Sequence, residues 1–323
     1  MMQRRDFLAA SMALSAGVVT GMAGAQTNAR VERIVVPFAA GGVQDLLARA
    51  ISTELGVALG QTVIVDNKPG AGGTVGTGFV AKSAADSGTM VLAAASHNIA
   101  GSLYAKLPYD PQKDFAPMAH IGTADYVLMI HPDVPAKTAA EYIRYAKANP
   151  GKMNYATAGI GSATHLSMAY FNGLAGIDVV HVPLKATGEA INEVISGRAQ
   201  AVIAASIGAL AFAKDSRIRL IGVTSPKRSR YLPDVPTIAE SGLPGYQFDS
   251  WFGLLGPAGT PPAEINRVNA AMATLLKDPV ILARLDKQGI EPLAMSNADF
   301  AKLLAIDYER MAKVVKASGA KVE

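Results

Sequence analysis

The sequence predicts an α/β fold of two domains, each a mostly parallel sheet flanked by helices. Three observations predict it. From Arg33 onward, short Val/Ile/Leu-rich runs alternate with stretches of helical period, the pattern of strand–helix–strand units. Half of the residues are apolar, enough to build a large core. The length, 323 residues, exceeds what one hydrophobic core usually serves.

Taken in order, strands are expected near 33–38, 62–66, 89–95, 126–131, 153–157, 178–182, 200–204 and 218–224. The helix after the first strand carries Leu46, Leu47, Ala50, Ile51 and Leu55 at spacings of three and four, and Gly60 is placed to end it. Further helices are expected near 138–149, 162–174, 187–196 and 207–214. Thr224 to Gly245, with Pro226, Pro233, Pro236 and Pro244, interrupts the rhythm and reads as a crossing between domains, followed by a strand-like segment from Phe248 to Pro257. Two long helical patterns finish the chain: Pro262 to Gly289, broken at Asp278-Pro279, and Asn297 to Ser318, with Asn297 as expected N-cap, Asp299 in the first turn and Lys313 and Lys316 in the last.

Ahead of this pattern, Arg4-Arg5-Asp6-Phe7-Leu8 precedes an apolar run to Val19 and then Ala23-Gly24-Ala25, a small-x-small cleavage site before Gln26. Residues 1–25 are read as an export signal resembling the twin-arginine variety, with general secretion as the other route. The run is too short to span a bilayer, and the mature chain is expected to be soluble and extracytoplasmic. There is no cysteine, which removes disulfides, thiolate zinc sites and cysteine nucleophiles. The formal charge is +4, and removing Arg4, Arg5 and Asp6 with the signal lowers it by one. No basic run interleaves with aromatics, so nucleic acid is not an expected partner.

Three glycine loops stand out. In Ile34 to Arg49, IVVPFAAGGVQDLLAR, a strand, a small-residue loop and a helix follow one another, so that backbone N–H groups at a helix N-terminus could meet an anion, or the loop could be an ordinary turn. Pro69 to Gly76 carries Gly70-x-Gly72 but Val75 where a dinucleotide fingerprint needs glycine, and it reads as a packing turn. In Ala158 to His165, hydroxyls join the N–H groups at a helix start, to hold a second carboxylate or simply to cap the helix through Ser162.

Ser162 with His165, and Ser96 with His97, are the Ser–His neighbours available to a hydrolase, and neither lies in a G-x-S-x-G elbow. The histidines at 97, 120, 131, 165 and 181 have no metal-ligand spacing, so neither a metal nor a cofactor is expected. Trp251-Phe252 could floor a ligand site or fill a core.

Taken together, VPFAAGGVQDLLAR, VDNKPGAGGTVG, SHNIAGSLYAKLPYDPQKDFAP, GIGSATHL, VTSPKRSRYLPDVPTIAESGLPGY and WFGLLGPAGTP resemble the Bug family, substrate-binding proteins of tripartite tricarboxylate transporters, over essentially the whole mature chain. The resemblance implies a type II Venus-flytrap binding protein in the periplasm. One domain would comprise 26–125 and 248–323, the other 126–247, and the cleft between them would close on a small organic acid: a di- or tricarboxylate or an aromatic carboxylate. It further implies a monomer that serves membrane transporter subunits and performs no catalysis. A periplasmic hydrolase using Ser162 or Ser96, and a sensory partner reporting ligand to a membrane receptor, are the alternatives.

By the same resemblance Phe38, Ala39, Ala40, Gly41 and Gly42 meet a carboxylate largely through main chain, Gly159, Gly161, Ser162 and Thr164 contact the ligand from the second domain, and Ser96 and His97 line the cleft. Two positions depart from the family. Ala40 stands where relatives commonly have proline, which should loosen the loop. Ala204-Ala205-Ser206 replaces an Asp-containing turn, so a ligand amino group would find no carboxylate partner.

Overall fold

The computed structural model describes residues 31–86, 88–184 and 186–319. The export signal expected over 1–25 lies outside the described residues. Strand β1 (Val31–Val36) holds Ile34, Val35 and Val36 fully buried, as a strand covered on both faces should. It runs parallel to β2 (Thr62–Asn67) on one side and to β3 (Thr89–Ala94) on the other. Between β1 and β2 lies helix α1 (Val43–Leu59), whose Leu47, Ala48, Ile51 and Leu55 pack on the sheet. It ends where Gly60 turns left-handed (φ 65°) and its N–H reaches back to Val57 O.

Strand β10 (Ser250–Pro257), buried along its whole length, inserts antiparallel between β3 and β4 (Phe115–Ala124). A short β11 (Glu291–Pro292) then completes a six-stranded sheet in the order β11-β4-β10-β3-β1-β2. The second sheet has five strands in the order β7-β6-β8-β5-β9: β5 is Tyr126–Ile130, β6 Asn154–Thr157, β7 Val180–Pro183, β8 Ala201–Ala205 and β9 Arg219–Val223. Both sheets are thus mixed, and β5 is antiparallel to β8 and β9. The physical reason is connectivity. β4 runs through Asp125 straight into β5, and the chain returns from β9 through Thr224–Asp249 into β10, so β5 and β10 each enter a sheet against its main direction, as β11 does beside β4.

The helices over 139–148 (α4), 163–175 (α5), 187–195 (α6), 262–275 (α8), 279–286 (α9) and 297–318 (α10) form close to where the periodicity puts them, and the expected 207–214 helix shortens to α7 (Ser206–Leu210). The break at Asp278-Pro279 is a true helix start, with Asp278 Oδ1 accepting from Val280 N at 2.7 Å. The cap of α10 is Ser296, whose Oγ accepts from Asp299 N; Asn297 is already the first helical residue. Strand β4 is absent from the sequence-based expectations, and helices α2 (Thr74–Ala81) and α3 (Ser96–Leu103) fall between expected strands where no helix bounds were set. β4, FAPMAHIGTA, lacks β-branched density, and α2 carries Gly76 and Gly78. Gly76 sits so close to Pro37 Cα that an added Cβ would come within 2.9 Å, so the second glycine loop is a close-packing turn.

One buried cluster joins the two sheets. Phe171 and Met168 of α5 and Tyr142 of α4 belong to the same core as Val35, Val91, Trp251 and Phe300. Helix α10 lies against both α3 and α5, bracing the two halves.

Candidate functional site

A cavity of about 550 Å³ opens between the sheets, beyond the carboxyl ends of β1, β3, β6 and β8. One wall comes from Phe38, Gly42, Val43 and Gln44 and from Ser96, Ile99, Leu103 and Tyr104 of the α3 segment. The facing wall is Ile160, Gly161, Ser162 and Ala163, with Ala205 and Ile207. Tyr126, Phe248, Ser250 and Phe252 of the crossing segments, with Gln288, form the floor. The walls meet where Leu103 Cδ2 lies 3.2 Å from the position a Gly161 Cβ would take; Gly161 has φ +78°, so this residue is fixed by both conformation and space.

The first loop is shaped by Asp45. This carboxylate is buried, accepts from Gly41 N at 2.9 Å and from Asn67 Nδ2 at 3.0 Å, and pairs with Arg49 Nε at 3.0 Å. The Arg49 hydrogen bond, more than any other contact, holds its pKa down to about 2. Asn67 Nδ2 also holds Phe38 O at 3.1 Å, so β2 grips both ends of the loop. The N–H of Gly41, expected to face ligand, is therefore spent on Asp45, and Gly42 N points at Ala39 O at 3.5 Å. Gly42 itself is the N-cap, extended and without a side chain to cap the helix. The donors that α1 cannot satisfy internally are those of its first turn, Val43, Gln44 and Asp45, since its first internal bond is Leu46 N to Gly42 O. Gln44 reaches across to donate Nε2 to Leu92 O at 2.9 Å.

The second loop caps itself. Ser162 Oγ donates to Gly159 O at 2.6 Å and accepts from His165 N, and Thr164 Oγ1 accepts from Ala158 N at 2.8 Å. Gly159 N donates to Thr157 Oγ1, and Gly161 N to His165 Nδ1. The first-turn N–H groups of Ala163 and Thr164 are left to serve a guest. His165 stacks on His181 at 4.3 Å; burial first, and then the neighbouring ring, hold its pKa down to about 4, so it is neutral and accepts at Nδ1.

Of the residues expected at the site, Phe38, Gly42, Ser96, Gly161, Ser162 and Ala205 line the cavity. Ala39 and Ala40 are exposed loop residues behind Gly42, and Gly41, Gly159 and Thr164 shape the loops from outside the wall. Ala204 is a fully buried strand residue. His97 is core: Nε2 meets Pro111 O at 2.9 Å, and the ring packs edge-on to Phe115. Neither Ser96 nor Ser162 has a histidine ring in hydrogen-bond contact, so the Ser–His neighbours form no dyad among the described residues. The alternation of β10 splits the aromatic pair: Trp251 turns into the core and Phe252 onto the cavity floor. Sequence reading missed Ile99, Leu103, Tyr104, Tyr126, Ile207, Phe248, Ser250 and Gln288; SHNIAGSLYAKLPYDPQKDFAP and the strand-like Phe248 to Pro257 contain several of them without saying which side chains turn inward.

No Asp, Glu, Lys, Arg or His side chain lines this cavity among the described residues. The Tyr126 hydroxyl on its floor is pushed up to about 12 by burial and stays protonated. A negatively charged guest would therefore be neutralised by helix N-termini and neutral donors, in a setting of low dielectric where such dipoles count for more. No group of three or more His, Cys, Asp or Glu placed to hold a metal occurs among the described residues, and no helix there is long and apolar enough to cross a membrane.

Residues 47–320 match the family model described as the tripartite tricarboxylate transporter family receptor, TctC. Protein BugT of Bordetella pertussis is 31% identical over 311 residues, covering 96% of this chain and 95% of its own. The R. palustris protein Rpa4515, solved with adipate, superposes with a TM-score of 0.76 at 32% identity, over 91% of this chain and 99% of that one. MatC from Rhodopseudomonas palustris, solved with bound malate, gives 0.72 at 32% identity, over 88% and 99%. The chain belongs to the TctC, or Bug, family of tripartite tricarboxylate transporter receptors.

Proposed function

We propose that this receptor captures a small organic carboxylate in the periplasm, between two lobes that close on it, and delivers it to the membrane subunits of a tripartite transporter without performing bond chemistry. The lobes are residues 26–125 with 248–323, and 126–247, and they move about the β4–β5 and Gln247–Phe248 crossings. The observation that carries the reading is the convergence of two helix N-termini, those of α1 and α5, on one cavity that holds no fixed charge. An anion is the guest that such dipoles favour. Relatives solved with adipate and with malate support a carboxylate as that anion.

A ligand amino group would enter this cavity without a carboxylate to pair with, a costly desolvation, so amino acids are poor ligands. Ser162 supports no nucleophilic role, since its hydroxyl is engaged by Gly159 O and His165 N. A thermal-shift screen tests the reading. A ligand at 100 times its Kd stabilises a folded protein by about 2.7 kcal/mol, a shift of a few degrees for a chain of this size. Carboxylates should produce it and amino acids should not. A shift with aspartate or glutamate that exceeds every plain carboxylate overturns the reading.

A further inference from the structure

Resting on the carboxylate-receptor reading, we propose that the ligand is an acid with an apolar body, an alkyl chain or aromatic ring, and that compact hydroxylated di- and tricarboxylates are poor ligands. The walls carry the inference. Away from the two helix N-termini the cavity is bounded by Ile99 and Leu103 on one side, Ile160 and Ile207 on the other, and Phe248 and Phe252 on the floor. Of the polar side chains in the lining, Gln44 Nε2 is engaged by Leu92 O at 2.9 Å, Ser162 Oγ by Gly159 O at 2.6 Å and the Tyr104 hydroxyl by Ala71 O at 2.8 Å, while Ser96, Tyr126, Ser250 and Gln288 also border the cavity. A hydroxyl or a third carboxylate placed against the Ile99, Leu103, Ile160 and Ile207 walls would give up water without a replacement partner.

The rim adds an independent observation. Ile160, at the tip of the second loop, is 65% exposed although it borders the cavity, and Val43 opposite it is 45% exposed. Apolar side chains set at the mouth of a cleft gain their burial only when something apolar lies between them. A cavity of about 550 Å³ also falls in the range of sites that enclose a whole drug-sized molecule, with room for a body beyond its carboxylate.

The test is isothermal titration of the protein with adipate and benzoate as apolar-bodied acids and malate and citrate as compact hydroxylated ones, repeated with Ile160→Gln and Leu103→Gln. At least one apolar-bodied acid should bind about tenfold or more tighter than malate and citrate. Ile160→Gln, at an exposed position that does not disturb folding, should narrow that preference several-fold, and Leu103→Gln should do so further. Malate or citrate binding as tightly as the apolar acids overturns the proposal and leaves the receptor reading standing. A preference unchanged in both variants also overturns it, because other walls would then set it. Absence of binding by all four acids, with a non-acid solute bound instead, overturns the receptor reading itself.

Discussion

Asp307 Oδ2 accepts a hydrogen bond from Trp251 Nε1 and another from Asn98 Nδ2, both at 2.8 Å. One buried carboxylate oxygen thus fastens the C-terminal helix to the crossing strand β10 and to α3, the helix that presents Ile99 and Leu103 to the cavity. Asp307 Oδ1 receives Arg310 at 2.6 Å, and Arg310 reaches on to Asp249 at 2.9 Å, just before β10 begins. The geometry of the site therefore depends on a helix more than 200 residues away in sequence from the wall it supports.

Asp307→Ala leaves Trp251 Nε1 buried without an acceptor and takes one of two acceptors from Asn98 Nδ2 and one of two carboxylates from Arg310, which keep Leu304 O and Asp249. Removing one partner of such a network costs about 3–5 kcal/mol, to be measured by urea unfolding. Asp307→Asn, which keeps one acceptor, should lose less. A loss below about 1 kcal/mol for the alanine variant would show that the network does not hold these elements together.

Asp45→Ala should weaken ligand binding about tenfold or more by releasing Gly41, Asn67 and Arg49, and should cost about 1.5–3 kcal/mol of stability. The pH dependence has a definite sign. The folded carboxyl titrates at about 2, below its ordinary 3.8, so its contribution is present above about 3.8 and fades as the pH falls toward 2. The stability gap between wild type and variant should be the same at pH 7 and pH 5 and shrink below pH 4.

His97 is lowered from 6.5 to about 4 by burial, and His165 likewise, by burial and then by His181. Because the unfolded chain takes up these protons first, stability is full above about pH 6.5 and falls as the pH drops toward 4. For fully buried His97 the loss is about 3 kcal/mol, at about 1.4 kcal/mol per unit. Unfolding curves from pH 7 to 4.5 should show the decline, and His97→Leu should flatten it.

Ser162→Ala removes the α5 cap and should lower stability by about 1 kcal/mol while weakening binding only a few-fold, since the Ala163 and Thr164 N–H groups remain. Gly161→Val should abolish binding with the fold intact: its φ of +78° disfavours a side chain, and Leu103 stands 3.2 Å from the added Cβ. Titration calorimetry and a melting curve separate the two effects.

The parts of this molecule that obey local rules were legible in the sequence. Leu47, Ile51 and Leu55 announce α1, Gly60 its end, and the Val/Ile runs of β1 and β3 their burial. β4 was hidden because a strand of Ala, Gly and His is made by its neighbours β10 and β11, not by its own propensity. The glycines picked out in the sequence mark two loops that border the cavity, yet nothing local reveals that Asp45 takes the Gly41 N–H. Gln288, Phe248 and Ile207 reach the site from distant segments, and only the tertiary fold decides that they face inward.

A structure of the protein crystallised with a bound carboxylate shows whether the α1 and α5 N-termini share one carboxylate-binding cleft. Carboxylate oxygens should lie within about 2.7–3.2 Å of first-turn N–H groups at Val43–Gln44 and at Ala163–Thr164, directly or through one ordered water. A carboxylate held instead by lysine or arginine side chains outside this cavity would contradict the shared cleft.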